Sequence, residues 1–514
     1  MRVTGDVRKS NKRTQTLRKQ VVERPRLVVL PVVGVALVVL LVLLPDAGTF
    51  ASLLVLLAGT FLVPRISESP SYAYGLPGVP DGPPKPSRVP VEAHTWVSLA
   101  AAAVAVLLTV AGASWPAFAA LAGVAVVAWL ACAATMLRYL RHGRRVRQAL
   151  EAYAPTIAMG FAGRSGGPWQ LRMWEPYLLR SGERCVVITL HEKYLPLILD
   201  GANLTSPLVQ LGSRGARDLD SLLVPSIRAV FYVQNAQANK GFMAHKNLTH
   251  VWLNHGDSDK PANFNPRHAL YDVLVVCGQA GIDRYERHGI HVAPEKFQVL
   301  GRPQAAGVRP ARGPIAELDP KTVLYAPTWQ GLDEAVNFSS LERGPEIVRA
   351  LLDRGVKVIF RPHPLSNRWR IRRAVVKEIQ AILRDDKAKT GRKHIWGNLA
   401  ENTWSVIDCA NRSDALISDV SSVVSDFLQS EKPYAMTSMR AGIEAFREEF
   451  SVAETAYVLL GDLSNLDEVL DDLLVRDPLA TARAERKRYV LGDFVGEESA
   501  DAFAAYVRDL VRGA

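Results

Sequence analysis

Four short stretches of this sequence combine residues that handle protons and phosphates. The first is Trp252-Leu253-Asn254-His255-Gly256-Asp257-Ser258-Asp259-Lys260, in which an apolar run ends in histidine and glycine. An imidazole at a strand tip can take a proton from a hydroxyl near neutral pH, and a loop histidine can equally do no more than bond to backbone. Asp257 and Asp259 have D-x-D spacing and are weak candidates for a divalent metal. The second stretch is Phe360-Arg361-Pro362-His363-Pro364. Arginine offers a planar fork of donors suited to phosphate and histidine adds another, while two prolines stiffen the turn; the alternative is that Arg361 caps a neighbouring helix. The third is Ser418-Asp419-Val420-Ser421-Ser422, an apolar strand giving way to hydroxyls at the start of a helix. Free N–H groups and hydroxyls there make a phosphate cradle, or else Ser or Asp is a plain N-cap. The fourth, Tyr325-Ala326-Pro327-Thr328-Trp329, also closes an apolar run and is placed to line the same pocket. No Walker A, GxGxxG, GxSxG or HExxH pattern is present, so phosphate handling would rest on Arg, His, Ser and helix ends.

The elements that must carry these loops alternate. Strands are expected at Cys185–Leu190, Ala229–Val233, Thr249–Leu253, Val273–Val276, Val323–Tyr325, Val356–Phe360 and Ala415–Ile417. Helices are expected at Ile347–Arg354, Ala374–Arg384, Val420–Ser430, Leu466–Val475 and Ala500–Val511. Such alternation predicts parallel sheets covered on both faces. A Gly/Pro-rich stretch at 301–320 marks a boundary, giving an N-terminal α/β domain over 150–305 and a C-terminal one over 320–514. The expected fold class is therefore α/β, two Rossmann-like domains of GT-B type, preceded by an α-helical transmembrane region. In open parallel sheets ligands bind beyond the carboxyl ends of the strands, where all four motifs fall.

The first third reads differently. Residues 1–26 carry nine Lys or Arg against Asp6 and Glu23, so this arm supplies +7 of the net +11. It abuts the uncharged run Leu27–Leu44, which marks a cytoplasmic arm facing anionic lipid headgroups rather than a nucleic-acid partner. Further apolar runs at Phe50–Val63, Thr95–Trp115 and Pro116–Leu137 predict about four spans within 27–137, with an extended, unpacked Pro-rich linker over 64–94. Arg138, Arg141, Arg144, Arg145 and Arg147 follow the last run, so an even number of crossings puts both ends in the cytoplasm. The expectation is a multi-pass cell-membrane protein with cytoplasmic α/β domains. No run has an ionisable residue at its middle, which favours anchoring over conduction. Cys132, Cys185, Cys277 and Cys409 have no disulfide or zinc-site spacing, which fits a reducing compartment.

Taken in order, His255-Gly256 with Lys260, Pro327-Thr328-Trp329, Arg361-Pro362-His363-Pro364 and Asp419-Val420-Ser421-Ser422 resemble the CDP-glycerol glycerophosphotransferase family, the teichoic acid primases and polymerases. The resemblance covers roughly residues 225–440. It implies a transferase moving a phosphoalditol from a CDP-alditol donor to a hydroxyl of a polyprenyl-linked or polymer acceptor. By the same resemblance His255 is the general base, and His363 belongs with it to the catalytic pair. Arg361, Ser421, Ser422, Asp419, Lys260 and Thr328 would hold the donor, and the one cofactor left open is a divalent metal. The family's loop usually reads His-Gly-Thr-Pro before its lysine, where this chain has Asp257-Ser258-Asp259. Two carboxylates beside a diphosphate would repel it unless Lys260, an arginine or a metal ion compensates. The alternatives are a nucleotide-sugar glycosyltransferase of the same fold and a non-catalytic membrane scaffold for envelope synthesis.

Overall fold

The computed structural model describes residues 26–43, 46–62, 70–84, 93–163, 167–213, 215–254, 263–331, 337–368 and 370–513. The basic arm up to residue 25 and the stretch 255–262, which holds His255, Asp257, Asp259 and Lys260, lie outside them. The chain divides into two compact units, Met1–Ala154 with Pro207–Pro225, and Pro155–Ser206 with Ser226–Ala514.

The first unit contains the helices Arg26–Leu43, Ala47–Leu62, Ala93–Val110 and Trp115–Tyr153. They pack through Val33, Leu37, Leu53, Ala101, Ala105 and Trp129. Small residues allow close approach between such helices: a Cβ on Gly59 would stand 2.0 Å from the Trp129 ring. Among the described residues only Trp115–Tyr153 is long and apolar enough to cross a membrane; Leu30–Leu43, Ala47–Thr60 and Thr95–Val110 are shorter apolar helices. Of the expected Pro-rich linker, the described residues 70–84 are packed rather than unpacked. Tyr72–Tyr74 pairs antiparallel with Leu208–Gln210, and Tyr72, Ala73 and Leu76 are buried. Two aromatic residues give that segment a face to bury, which its proline content obscured.

The second unit holds two parallel sheets. The strands of the first are β1 (Ile157–Phe161), β2 (Cys185–Thr189), β3 (Ala229–Tyr232), β4 (Thr249–Trp252), β5 (Val273–Val276) and β6 (Phe297–Val299). Within this unit they run in the order β2-β1-β3-β4-β5-β6, all parallel. The second sheet has β7 (Thr322–Ala326), β8 (Lys357–Phe360), β9 (Ala415–Ser418), β10 (Tyr434–Ser438) and β11 (Tyr457–Leu460), in the order β8-β7-β9-β10-β11, also parallel. Both orders are doubly wound. Their central strands are buried on both faces, hence the near-continuous apolar runs. The α/β expectation is met by two Rossmann-like sheets, one per half.

The expected strands match observed ones to within about two residues, and four more were passed over. β1 reads Ile-Ala-Met-Gly-Phe and β10 reads Tyr-Ala-Met-Thr-Ser, each with a single β-branched residue. Gly160 in β1 is there for packing, since a Cβ would meet the Tyr232 ring at 2.9 Å. β6 is a short, partly exposed edge strand, and β11 was the remaining omission. The final helix, Glu498–Gly513, lies in the stretch assigned by sequence to the second half, yet it packs on Pro168–Arg180 of the first. Phe503 lies 5.2 Å from Trp174 between ring centroids, and Arg180 pairs with Asp501 at 2.7 Å.

Candidate functional site at the carboxyl edges of the sheets

In the second sheet the strand order reverses between β7 and β9, the switch point at which doubly wound sheets form a crevice. The Pro327-Thr328-Trp329 loop leaves β7 and the Asp419-Val420-Ser421-Ser422 loop leaves β9, while Arg361-Pro362-His363-Pro364 leaves the adjacent β8. Three motifs separated by up to about 90 residues are thereby side by side. The backbone stitches them together: Arg361 N–H donates to the Tyr325 carbonyl at 3.0 Å and His363 N–H to the Pro327 carbonyl at 3.1 Å. The Trp329 and His363 rings stack with centroids 6.1 Å apart.

Asp419 is the hub of this edge. It is fully buried, and its Oδ2 accepts from Thr328 N–H at 2.7 Å and Ser340 N–H at 3.1 Å. Its Oδ1 accepts from the Thr437 hydroxyl. Burial raises the Asp419 pKa above the usual carboxylate range, against the opposing effect of these donors. The carboxylate thus ties the loops after β7 and β9, the 339–340 segment and β10 together. It positions these loops and is itself closed off from a ligand by its burial. Ser339 reinforces it by donating to the Thr328 carbonyl at 2.7 Å.

Arg361 is committed in part to structure. Its Nη1 donates to the carbonyls of Ala400 and Trp404, the latter at 2.8 Å, around the helical turn Leu399–Thr403. This is the helix-end role set beside phosphate binding in the sequence. Its Nε and Nη2 make no hydrogen bond among the described residues, which leaves part of the fork for a ligand. The His363 Nδ1 accepts from Leu365 N–H at 3.1 Å, so its proton belongs on Nε2, making that atom a donor. Ser421 is the N-cap of Ser422–Leu428, accepting from Val423 N–H at 3.3 Å. Ser421 and Ser422 are half-buried, and Thr328 is buried with its N–H spent on Asp419.

In the first sheet, β4 ends at Trp252 and Asn254 adopts a left-handed conformation with φ of 62°. The Asn254 carbonyl accepts from the Trp174 indole at 2.8 Å. His255, Asp257, Asp259 and Lys260 follow in the sequence and lie outside the described residues. Beside the Asn254 turn a small cleft is lined by Trp174, Trp252, Asn254, Cys277, Arg284 and Arg302, among others. Arg302, after β6, pairs with Asp426 on Ser422–Leu428, both largely buried. This pair links the cleft edge of the first half to the helix that begins at Ser422. Among the described residues no group of three His, Cys, Asp or Glu could hold a metal, and Asp257 and Asp259 fall outside them.

Sequence reasoning passed over Trp174, Arg302, Ser339, Ser340 and Thr437. Trp174 reads as an ordinary core aromatic, and the others sit far in sequence from the loops they hold.

Residues 311–442 match the sequence model of the family described as CDP-Glycerol:Poly(glycerophosphate) glycerophosphotransferase. A search of curated proteins found no match. Solved structures similar in part include a putative UDP-N-acetylglucosamine 2-epimerase from Listeria monocytogenes, with 12% identity and a TM-score of 0.46 over 70% of this chain and 98% of that one. The wall teichoic acid polymerase TagF has 14% identity and a TM-score of 0.42, covering 74% of this chain and 95% of that one. A glycosyltransferase from Rickettsia africae ESF-5 has 13% identity and a TM-score of 0.42, covering 70% and 99%. The segment similar to that family contains Thr328, Arg361, His363, Asp419, Ser421 and Ser422.

Proposed function

We propose that the chain is a membrane-anchored transferase that moves glycerol phosphate, or a related phosphoalditol, from a CDP-activated donor to a hydroxyl of an envelope polymer or its lipid-linked precursor. The observation that carries this reading is the convergence of three family motifs on the switch point of the second sheet. Arg361, His363, Ser421 and Ser422 supply donors at that edge for the diphosphate, and the Asp419 carboxylate holds the loops that present them. His255 takes the proton of the acceptor hydroxyl as its oxygen bonds to the phosphorus bearing the alditol. The bond from that phosphorus to the CMP oxygen breaks, and CMP leaves with the electron pair. Lys260 and the arginines offset the charge of the departing phosphate and of Asp257 and Asp259. Positioning and charge stabilisation supply most of such catalysis.

The membrane part of the proposal rests on the first unit. Its helices turn Val32, Val35, Val42, Val110 and Val124 outward, each at least 62% exposed. An apolar exterior of that extent is unfavourable in water and suits lipid. About four crossings, with both ends and the α/β halves in the cytoplasm, is the arrangement proposed. The test of the chemistry is nucleotide release by the solubilised protein from CDP-glycerol, CDP-ribitol or UDP-glucose, with a prenyl-diphosphate-linked acceptor, with and without EDTA. Acceptor-dependent CMP release supports the proposal and names its donor; UMP or UDP release would reassign the chain to the sugar transferases.

A further inference from the structure

The cleft at the carboxyl edge of the first sheet is walled by the ends of β4 and β5, by Arg284 on the helix Gln279–Arg287 and by Arg302 after β6. Asn254 and Asn263, which bracket the stretch that holds His255 and Lys260, both line it. Leu253, Val275 and Val276 make part of the wall apolar. Its charged lining is of one sign. Arg284 and Arg302 are buried, at 4% and 7% exposure, and no carboxylate lines the cleft among the described residues. Arg302 is engaged by Asp426, but a guanidinium carries five N–H donors and one such pairing does not exhaust them. Trp252 is 1% exposed, and its indole N–H has no hydrogen-bond partner among the described residues. The indole of Trp174, across the same cleft, is by contrast spent on the Asn254 carbonyl.

A buried donor without an acceptor is unfavourable, and so is guanidinium charge taken out of water. Both are relieved by a ligand group that is anionic and rich in acceptor oxygens, and phosphate is such a group. The proposed reaction supplies one. When a hydroxyl takes up a phosphoalditol, a phosphodiester forms directly beside the new terminal alditol. We propose that this cleft binds that phosphodiester, the one next to the terminal alditol of a growing acceptor chain, through the Trp252 N–H and the Arg284 and Arg302 guanidiniums. The identity of the ligand rests on the transfer reaction proposed above, whereas the anion site rests on the lining of the cleft. The product of one addition then fits the cleft as the acceptor for the next, so units are added in succession. A hydroxyl with no phosphodiester behind it is the poorer acceptor.

Cys277 stands half-buried in the cleft wall, while Cys132, Cys185 and Cys409 are buried. Alkylation of Cys277 by a small thiol reagent therefore reports occupancy of the cleft without turnover. The test uses the full chain in detergent, with Cys277→Ser as the blank. Glycerophosphoglycerol, a phosphodiester flanked by two glycerols, is expected to slow the alkylation, and glycerol at the same concentration is not. Trp252→Phe keeps the ring and removes the N–H, and is expected to weaken the protection about tenfold with Tm kept. Arg284→Gln is expected to abolish it; because loss of a buried arginine can also unfold the chain, Trp252→Phe is the deciding variant. No protection, equal protection by glycerol, or protection unchanged in Trp252→Phe would overturn the proposal. Equal protection by inorganic phosphate or by CDP-glycerol would overturn it in favour of a free-phosphate or donor site. The readout involves no CMP release, so failure of the cleft assignment and failure of the transfer reaction are seen separately.

Discussion

At the carboxyl edge of the second sheet, one buried carboxylate ties together loops from two strands and a segment beyond them. At the same edge of the first sheet, the Trp174 indole donates to the Asn254 carbonyl just beyond β4. The winding order is the same in both sheets, yet the cleft of the first lies beside β4 and β5 rather than at its own switch point between β1 and β3. The difference fits a division of labour. Under the proposed function, the tied edge would take the donor diphosphate and the edge beside Trp174 the acceptor hydroxyl. It also divides the motif residues into builders, such as Asp419, and presenters, such as Ser421 and Ser422.

The comparison can be broken most forcefully at the base. His255→Ala is expected to lower turnover about 10²- to 10⁴-fold with donor affinity largely kept, measured by CMP release and by donor titration; unchanged turnover would remove His255 from the chemistry. Next comes the hub. Asp419→Ala leaves two buried N–H groups without acceptors and is expected to cost about 3 kcal/mol or more of stability, seen as a lowered Tm and a weakened donor KM together. If stability were unaffected, Asp419 would not be holding the edge. A smaller effect is expected at the first sheet's edge: Trp174→Phe keeps the packing on Phe503 but removes the bond to Asn254, at about 1 kcal/mol. It should raise acceptor KM several-fold and leave donor KM alone; the reverse pattern would erase the division of labour.

The smallest effect lies outside both edges. The His394 Nδ1 accepts from Val358 N–H at 3.0 Å and its Nε2 donates to Asp386 at 2.7 Å, so the neutral ring is built in. Burial pulls its pKa below the ordinary histidine value. The unfolded chain therefore binds the extra proton first, and the stability His394 contributes is present above about pH 6.5 and lost as pH falls from there through its folded pKa. Thermal unfolding between pH 7 and pH 5 should show this decline, and His394→Gln should flatten it.

The convergence of three motifs at one sheet edge was legible because their residues are polar interruptions at the ends of apolar runs. Arg361, His363, Ser421 and His255 each follow a recognisable strand, and parallel sheets expose those positions to ligands. Which of them face inward was not legible. Asp419 and Ser421 lie two residues apart in a loop with one signature, and only the fold makes the first a buried tie and the second an N-cap at the edge. Strand β10 escaped because Met and Ala serve a two-sided core without showing β-propensity. The return of Glu498–Gly513 to the first half depends on Phe503 meeting Trp174, a contact more than 300 residues apart that no local pattern encodes.

The most direct test of the central claim is CMP release from CDP-glycerol by the full-length wild-type protein, with and without a polyprenyl-linked or poly(glycerophosphate) acceptor. The account predicts release that depends on the acceptor, falls steeply in His255→Ala and is absent with UDP-glucose. Release of a uridine nucleotide instead, or no release from CDP-glycerol or CDP-ribitol with either acceptor, would contradict it.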